Sequence, residues 1–216
     1  STWKRALDIT TSVAGLIVFA PLMAATAVAI KLTSPGPVLF SQERIGVNRR
    51  VDKRRGSSNG RHGFDRRVED RRADEKHGKP FKMFKFRSMA VDAENGVPKW
   101  TTRNDPRVTA IGRIIRKTRI DETPQFFNVL RGDMSIVGPR PERDYFYAQV
   151  DGKIPQFPNR LRVKPGLTGL AQVNVGYTNN VEDMQRKLDH DLEYIRTLSP
   201  SNDVKILFKT ISVVVT

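Results

Sequence analysis

The apolar positions of this chain are concentrated near its start, where 22 residues between Asp8 and Lys31 carry no charge. A helix needs about 20 such residues to reach across the hydrocarbon core of a bilayer. The length of the segment and its lack of a polar face argue against a buried helix of a soluble protein. No small-residue cleavage site leads into a separate mature domain, which argues against a signal peptide. The pattern therefore predicts a membrane helix.

The flanks of this segment bear on how it enters the membrane. Lys4 and Arg5 precede it and Lys31 follows it, and positive charge on both sides indicates that both ends stay in the cytoplasm. Pro21, near the middle, removes a backbone hydrogen bond and bends a helix. We therefore expect residues 1–36 to form a re-entrant helix that bends at Pro21 and returns to the same face. A tilted, kinked span is the alternative.

Residues 37–216 mix short strand and helix patterns, which predicts a small α/β (α+β) body. Apolar and basic residues alternate from Pro80 to Met89, which is typical of a strand with one basic face. Basic residues surround the isoleucines of Val108 to Arg119, and apolar residues recur at helical spacing near the C-terminus. Both segments predict amphipathic helices, which could lie in the membrane interface, face solvent or pack on the body. A further strand is predicted at Pro37–Gln42 and a further helix at Asp183–Arg196.

One long polar run interrupts this body. Residues 49–79 contain 12 lysines and arginines and six acidic residues, with Phe64 as the only aromatic residue. Because such a composition cannot bury a core, we expect a mobile, basic insertion.

The whole chain is strongly basic, with 38 lysines and arginines against 23 acidic residues and a net charge of +15. This balance predicts an anionic partner: nucleic acid, an acidic membrane surface or a phosphate-bearing substrate. The chain lacks the interleaved aromatic residues, helix-turn-helix pattern and zinc ligands that are typical of nucleic-acid-binding proteins. Without cysteine there can be no disulfide or thiol nucleophile, and three scattered histidines are too few for a histidine metal site.

Two adjacent carboxylates, Asp121 and Glu122, are the main chemical signal. Pro124 suits the first turn of a helix and Gly132 suits its end, so the pair should lie near a helix N-terminus. The helix dipole there favours an ionised carboxylate, and free N–H groups can hold phosphate oxygens. A fixed carboxylate beside a phosphate is what covalent or metal-assisted phosphoryl transfer requires.

The chain resembles the bacterial sugar transferases, the monotopic polyprenyl-phosphate phosphoglycosyl transferases. The resemblance covers nearly the whole chain. It is carried by Lys4–Asp8, Pro21, Pro37–Gly46, Phe81–Met89, the Asp-Glu and Gly-Pro-Arg-Pro block of residues 119–141, Val163–Asn174 and Asp189–Ile195. The basic insertion is longer than in small members of the family. Larger members carry an N-terminal membrane and sensor region, and this chain could be the catalytic part of one.

The resemblance implies a reaction in which a UDP-sugar gives its sugar 1-phosphate to undecaprenyl phosphate and releases UMP. Asp121 would be the nucleophile that forms a covalent phosphosugar intermediate, and Asp121 and Glu122 would hold Mg²⁺. The step would begin the synthesis of an exopolysaccharide, capsule, O-antigen or glycoprotein glycan. The enzyme would lie in the phospholipid of the bacterial inner membrane, with residues 37–216 on the cytoplasmic face and no nucleic acid partner. A homo-oligomer is left open.

Cleavage of a diphosphate needs cations to neutralise charge. We expect Lys85 on the basic strand, Arg140 in the Gly-Pro-Arg-Pro turn and Lys164 before Pro165 to bind the substrate, since arginine in particular binds phosphate in a bidentate manner. Asp191 matches an acidic position of the family and is assigned a supporting role at the substrate site. The competing hypotheses are a basic nucleic-acid-binding protein and a membrane-anchored scaffold without catalysis.

Overall fold

The computed structural model describes residues 2–48, 77–91, 93, 105–175 and 181–215. The predicted mobile insertion therefore falls outside the described residues, apart from residues 77–79, and its mobility stays a prediction. The chain combines helices with two small sheets, as its sequence pattern predicts. The elements are α1 (Thr2–Thr33), β1 (Leu39–Ile45), β2 (Pro80–Phe86), α2 (Ala110–Lys117), α3 (Gln125–Arg131), β3 (Ser135–Val137), α4 (Asp144–Val150), β4 (Gly166–Thr168), α5 (Leu170–Asn174), α6 (Val181–Arg196) and α7 (Pro200–Val215).

The N-terminal helix α1 is 32 residues long and contains Pro21. At 1.5 Å per residue it would measure about 48 Å if straight. It is long and apolar enough to cross a membrane by length and composition, and only 11% of its most apolar window is buried. The helix continues without a break through Pro21 to Thr33. A return of the chain to the same membrane face, which we expected at Pro21, is therefore not produced by a break in the helix.

One stripe of α1 packs against the body along its whole length. A Cβ on Gly15 would lie 2.7 Å from the ring of Phe126, and the Phe19 and Phe126 rings stack with centroids 6.3 Å apart. Near the C-terminal end, Ile30 is fully buried in a cluster with Phe86. The middle and the far end of the helix therefore contact the same body, while its opposite face exposes apolar side chains.

Charged residues hold the N-terminal end of α1 on the body. Lys4 forms an ion pair with Asp203 of α7 at 2.6 Å. Arg5 donates to two backbone carbonyls at the C-terminal end of α3, both at 2.6 Å. Asp8 is buried and accepts bonds from Ser135 and from the backbone of β3 at 2.8 Å. The two positive residues that precede the apolar segment, Lys4 and Arg5, are thus bound to protein groups.

The strands β1 and β2 form an antiparallel pair in which Phe40 lies opposite Lys85. The expectation of one basic face on β2 is wrong. Side chains alternate between the faces of a strand, so Lys82 and Lys85, three residues apart, point in opposite directions. Lys82 is exposed, while Lys85 is partly buried in the body. Only Lys85 is therefore available to an interior site.

The second sheet pairs β3 and β4 in parallel, and glycines bring the two backbones into close contact. A Cβ on Gly166 would lie 2.1 Å from the Gly138 nitrogen, and one on Gly169 would lie 2.1 Å from the Gly138 oxygen. Only glycine fits such an approach. The glycine-rich segment that begins at Arg162 therefore supports the Gly-Pro-Arg-Pro turn.

Among the described residues, three apolar clusters hold the elements together. Helix α6 contributes to two of them, because Met184 and Leu188 belong to one and Tyr194 to another. The third cluster joins the end of α1 to β2 and α2 through Ile30, Phe86 and Ile115. Helix α6 therefore packs against the part of the chain that follows β3.

Like α1, helices α2 and α7 expose apolar side chains on their outer surfaces. On α2, Ile115 is buried while Ile114 is exposed between basic residues. On α7, Ile206 is buried while Phe208 and Ile211 are 69% and 61% exposed. Both helices therefore present an apolar and basic outer surface, and their contact with a membrane stays a prediction.

The basic insertion leaves and rejoins the body at one place. The Gly46 N–H donates to the Lys79 carbonyl at 2.9 Å, and the Asn48 side chain donates to the His77 carbonyl. These bonds continue the β1–β2 register beyond the pair of Ile45 and Pro80. The two ends of the insertion are therefore close enough for a short connection.

Replacing residues 49–76 by Asn-Gly is expected to leave the body folded, because Asn-Gly suits a two-residue hairpin loop. The variant should melt within a few degrees of the original chain and bind anionic lipid vesicles more weakly, since it loses a basic segment. A control of unchanged length, with the arginines of residues 49–76 replaced by serine, should behave in the same way. Unfolding of the Asn-Gly variant alone would show that the insertion supports the fold.

Candidate active site

The two adjacent carboxylates lie in a short turn between α2 and α3. Arg119 precedes this turn with φ 58° and ψ 12°, a left-handed conformation that costs a non-glycine residue about 1–2 kcal/mol. Residues Ile120–Glu122 then form a single 3₁₀ turn. The reversal at Arg119 directs Asp121 and Glu122 inward, and both are buried. Backbone strain of this kind is common at functional sites.

The helix after the pair has the bounds that its sequence predicts. Pro124 precedes the first residue of α3, and Gly132 ends the helix with φ 88°. The phosphate cradle that we expected from free N–H groups at the start of α3 is not present at two of its amides. The Phe126 and Phe127 amides donate to the carbonyls of Thr123 and Pro124. The 3₁₀ turn runs into α3, so these two N–H groups are not free for phosphate.

Glu122 is held by two cations. Its Oε1 atom accepts a bond from Lys85 Nζ at 3.1 Å and from an Arg140 guanidinium nitrogen at 2.7 Å. Burial alone would raise the pKa of Glu122, but Arg140 and Lys85 outweigh burial and hold the pKa well below its usual value. Burial also lowers the pKa of Lys85, which Glu122 opposes. Glu122 is therefore a fixed anion.

Asp121 has different surroundings. It has no hydrogen bond or ion pair with any residue that the structure describes. Burial raises its pKa, Lys85 opposes this effect, and the neighbouring charge of Glu122 adds to it. The two carboxylates thus differ in kind: Glu122 is bound to cations, whereas the oxygens of Asp121 are available to an incoming group.

The donor set fits Mg²⁺ held jointly with a substrate. Among the described residues, no cluster of three or more histidine or acidic side chains could hold a metal by itself. Mg²⁺ usually binds one or two carboxylates together with substrate phosphates and water. Asp121 and the second oxygen of Glu122, Oε2, suit such a site.

Asn128 connects α3, which follows the carboxylate pair, to β2, which carries Lys85. It is fully buried, its side-chain nitrogen donates to the Lys82 carbonyl at 2.7 Å, and its side-chain oxygen accepts from the Phe84 amide at 3.0 Å. Asn128 therefore pairs with the edge of β2 as a strand would. Asn128 was not predicted as a site residue, although a polar residue between Phe127 and Val129 was a signal.

We expect Asn128→Asp to destabilise the protein by about 1–3 kcal/mol. Aspartate has the size of asparagine and keeps an oxygen that accepts from the Phe84 amide. It cannot donate to the Lys82 carbonyl, and it places an extra carboxylate in the interior. Denaturant unfolding would measure the change, with Asn174→Asp as the control because Asn174 is exposed. Equal stability of the two variants would contradict the proposed link between α3 and β2.

Asp191 lies behind the site rather than at its surface. It accepts bonds from the Nε and a terminal nitrogen of Arg160 at 2.8 and 2.6 Å, and both side chains are 2% exposed. Arg160 also donates to the backbone carbonyl of Arg140 at 3.0 Å. Asp191 therefore contacts the site through Arg160 and the Gly-Pro-Arg-Pro turn. Arg160 is a second residue that the sequence analysis missed.

Lys164 lies at the opposite end of α3. Its Nζ atom is 3.4 Å from the position that a Cβ on Gly132 would occupy, and Gly132 ends the helix that Asp121 and Glu122 precede. The structure thus brings Lys85 and Arg140 to the carboxylate pair but places Lys164 at the far end of the helix. Its role in binding substrate stays a prediction.

These groups suit chemistry at phosphorus. A buried carboxylate with available oxygens can act as a nucleophile. Fixed cations beside it can neutralise the charge that a phosphoryl group carries and develops in the transition state. The arrangement has both features within one turn and its immediate partners.

Comparison with known proteins identifies relatives of this chain. The family model of the bacterial sugar transferases matches residues 1–53 and 68–216. The unmatched residues lie inside the basic insertion. The match otherwise includes every element that forms the site.

Three of the relatives whose names describe an activity are representative. The UDP-N-acetylgalactosamine-undecaprenyl-phosphate N-acetylgalactosaminephosphotransferase of Aeromonas hydrophila is 43% identical over 99% of this chain and 44% of that protein. The UDP-glucose:undecaprenyl-phosphate glucose-1-phosphate transferase of Escherichia coli (strain K12) is 41% identical over 96% of this chain and 39% of that protein. A Caulobacter vibrioides protein with the same name is 39% identical over 96% of this chain and 68% of that protein.

The chain spans less than half the length of the first two relatives. The matched part contains the carboxylate pair, both of its cations and the N-terminal helix. With a family match over nearly the whole chain and relatives about 40% identical across it, this chain belongs to the bacterial sugar transferase family.

Proposed function

We propose that this protein transfers a sugar 1-phosphate from a UDP-sugar to undecaprenyl phosphate and releases UMP. The observation that carries the proposal is the contrast between the available carboxylate of Asp121 and the cation-bound carboxylate of Glu122. The names of the relatives supply the substrate classes. The product would be the first membrane-bound intermediate of polysaccharide synthesis.

In the first step, an Asp121 oxygen attacks the phosphorus that carries the sugar. The bond from this phosphorus to the bridging oxygen breaks, and UMP leaves with the electron pair. Asp121 then carries the sugar phosphate as an acyl phosphate. Lys85 and Arg140 neutralise charge on the phosphoryl oxygens while Glu122 keeps both cations in place.

In the second step, a phosphate oxygen of undecaprenyl phosphate attacks the same phosphorus. The bond to Asp121 breaks, and the carboxylate is restored. Mg²⁺ bound by Asp121 and Glu122 would neutralise further phosphate charge. The burial of both carboxylates keeps bulk water away from the acyl phosphate and so disfavours its hydrolysis.

Incubation with undecaprenyl phosphate, Mg²⁺ and a panel of UDP-sugars tests the proposal by UMP release. The panel should include UDP-glucose and UDP-N-acetylgalactosamine, the sugars in the relatives' names. We expect release with at least one of them and formation of a lipid-linked sugar diphosphate. Absence of UMP with every sugar, from protein that is folded in lipid nanodiscs, would contradict the proposal.

We also propose that α1 enters one leaflet of the inner membrane and that the body lies on the cytoplasmic face. The two ends of α1 and its middle all contact the body, through Lys4, Phe19 and Ile30. A helix that spanned a bilayer upright would carry one end about 30 Å away from a body on the other face. The exposed apolar face of α1 is then the surface that meets lipid.

Single cysteines at Thr2 and Ser201 test this topology, since the chain has no cysteine of its own. In intact cells neither position should react with a membrane-impermeant maleimide, and both should react after lysis. In a Pro21→Leu background, which restores the backbone hydrogen bond and favours a straight span, we expect the Thr2 position to react more. Strong labelling of Thr2 with Pro21 in place would establish a true span.

A further inference from the structure

Several charges around the carboxylate pair have partners. Glu122 binds Lys85 and Arg140, and Asp191 binds Arg160. Nearby, Arg44 lies 3.6 Å from Glu142. By contrast, neither Asp121 nor Lys187 forms an ion pair or a hydrogen bond with a described residue.

Lys187 is partly buried, and its neighbours on the same face of α6, Met184 and Asp191, are both buried. It lies one helical turn before Asp191, whose partner Arg160 donates to the Arg140 carbonyl. Four residues of a helix span about 6 Å along its axis. The neighbouring Leu188 is completely buried, so this part of α6 packs against the body. Lys187 is therefore close enough to Arg140 for the two charges to act on each other.

The surroundings of Lys187 do not neutralise its charge. Burial lowers the pKa of Lys187, Glu142 and Asp191 oppose the effect, and Arg140 and Arg160 add to it. Glu142 and Asp191 are already paired with arginines. A partly buried ammonium without a partner is unfavourable unless another group supplies the opposite charge.

We propose that Lys187 binds a phosphate oxygen of the substrate and extends the cationic wall formed by Arg140 and Lys85. The inference rests on the proposed function. An incoming phosphate would supply the anion that Lys187 lacks, as lysine binds phosphate as a compact point charge. The phosphate could belong to the nucleotide sugar or to the polyprenyl lipid.

Two substitutions separate charge from packing. Lys187→Met keeps an unbranched apolar stem and removes the ammonium, whereas Lys187→Arg keeps the positive charge. We expect Lys187→Met to raise the KM of one substrate by about 10- to 100-fold, the range for a lost hydrogen bond to a charged group, with a smaller change in kcat. Lys187→Arg should recover much of the loss. Lys153→Met, at an exposed lysine, is the matched control for one lost charge.

Stability measurements exclude a purely structural role. Lys187→Met should melt at the same temperature as the unsubstituted protein or at a higher one, because it removes a partly buried, unpaired charge. A variant that melts several degrees lower, with an apparent kcat that falls in proportion to the folded fraction and an unchanged KM, would overturn the proposal.

The identity of the phosphate follows from two arms of the experiment. A raised KM for the UDP-sugar, together with weaker binding of UDP in calorimetry, assigns Lys187 to the nucleotide. A raised KM for undecaprenyl phosphate with unchanged UDP binding assigns it to the lipid.

If Lys187→Met changes neither KM nor UDP binding, the inference is wrong, although UMP release by the unsubstituted protein would still support the proposed function. If the unsubstituted protein releases no UMP, the proposed function is wrong, and UDP binding alone tests the role of Lys187. Weaker binding of UDP to Lys187→Met would then support the inference. Equal binding, or no detectable binding to either protein, would overturn it.

Discussion

Asp121→Asn is expected to abolish UMP release, with a loss of about four orders of magnitude or more in kcat, as for other enzymes that lose a covalent nucleophile. An amide is too weak a nucleophile to attack phosphorus, so no acyl phosphate can form. The first half-reaction should be lost as well as complete turnover. The effect should therefore appear in the absence of undecaprenyl phosphate.

The fold should survive this substitution. Asp121 makes no hydrogen bond or ion pair with any described residue, so asparagine breaks none of the bonds that hold the turn. It also removes a buried charge next to Glu122. We expect the free energy of unfolding to stay the same or rise slightly, which separates a loss of chemistry from a loss of structure.

Intact-protein mass spectrometry gives the decisive measurement. The unsubstituted protein, mixed with a UDP-sugar and Mg²⁺ without lipid acceptor, should gain the mass of a sugar phosphate. Asp121→Asn should not, while the control Asp189→Asn should, because Asp189 lies exposed on α6. Substantial turnover by Asp121→Asn would remove Asp121 from the role of nucleophile and favour a non-covalent transfer.

The position of the carboxylate pair could be predicted from the sequence because its signals are local. Pro124 and Gly132 fix the start and end of α3 by their own backbone preferences, and the structure has both. The left-handed residue that turns the pair inward, Arg119, has no such signal. Its conformation depends on how α2 and α3 pack, which a local pattern does not contain.

The partners of the site residues were harder to predict because they are distant along the chain. Asn128 binds the backbone of β2 across 46 residues, and Arg160 binds Asp191 across 31. Asp191 was identified as a residue of the site, but nothing in its neighbourhood indicated that it would be buried against an arginine. We therefore expect Asp191 to act on the substrate through Arg160 and the Arg140 backbone.

The N-terminal helix shows the same limit. Composition correctly indicated a helix with an apolar surface, and Lys4 and Arg5 were interpreted as charges that keep its end in the cytoplasm. In the structure both are bound to the body, one to Asp203 and the other to the end of α3. The positive-inside rule treats Lys4 and Arg5 as free charges, whereas the structure shows them bound to the body. Both causes predict the same topology, and only the structure distinguishes them.

Glu122→Gln is expected to reduce activity by at least about 100-fold and, unlike Asp121→Asn, to destabilise the protein. Glutamine leaves Lys85 and Arg140 beside a neutral amide, so two partly buried cations lose the anion that both contact. Removing one partner from a buried ion pair typically costs about 3–5 kcal/mol, and the partial exposure of Arg140 should keep the cost near the lower end.

A second substitution separates the stability effect from the catalytic one. Adding Lys85→Met to Glu122→Gln removes one of the two stranded cations and should recover part of the lost stability. It should not recover activity, because Lys85 is itself expected to neutralise phosphate charge. Glu193→Gln, at an exposed glutamate, is the control for a loss of negative charge alone.

The dependence of the rate on Mg²⁺ then distinguishes two roles for Glu122. EDTA should stop the reaction of the unsubstituted protein and added Mg²⁺ should restore it, because carboxylate and phosphate oxygens suit this ion. If Glu122 binds the metal, Glu122→Gln should need a Mg²⁺ concentration about tenfold or more higher for half-maximal rate. If Glu122 only fixes Arg140 and Lys85, the rate will fall at every Mg²⁺ concentration while the midpoint stays the same. Full activity in EDTA would remove the metal from the mechanism and leave Arg140 and Lys85 as the groups that neutralise the phosphate.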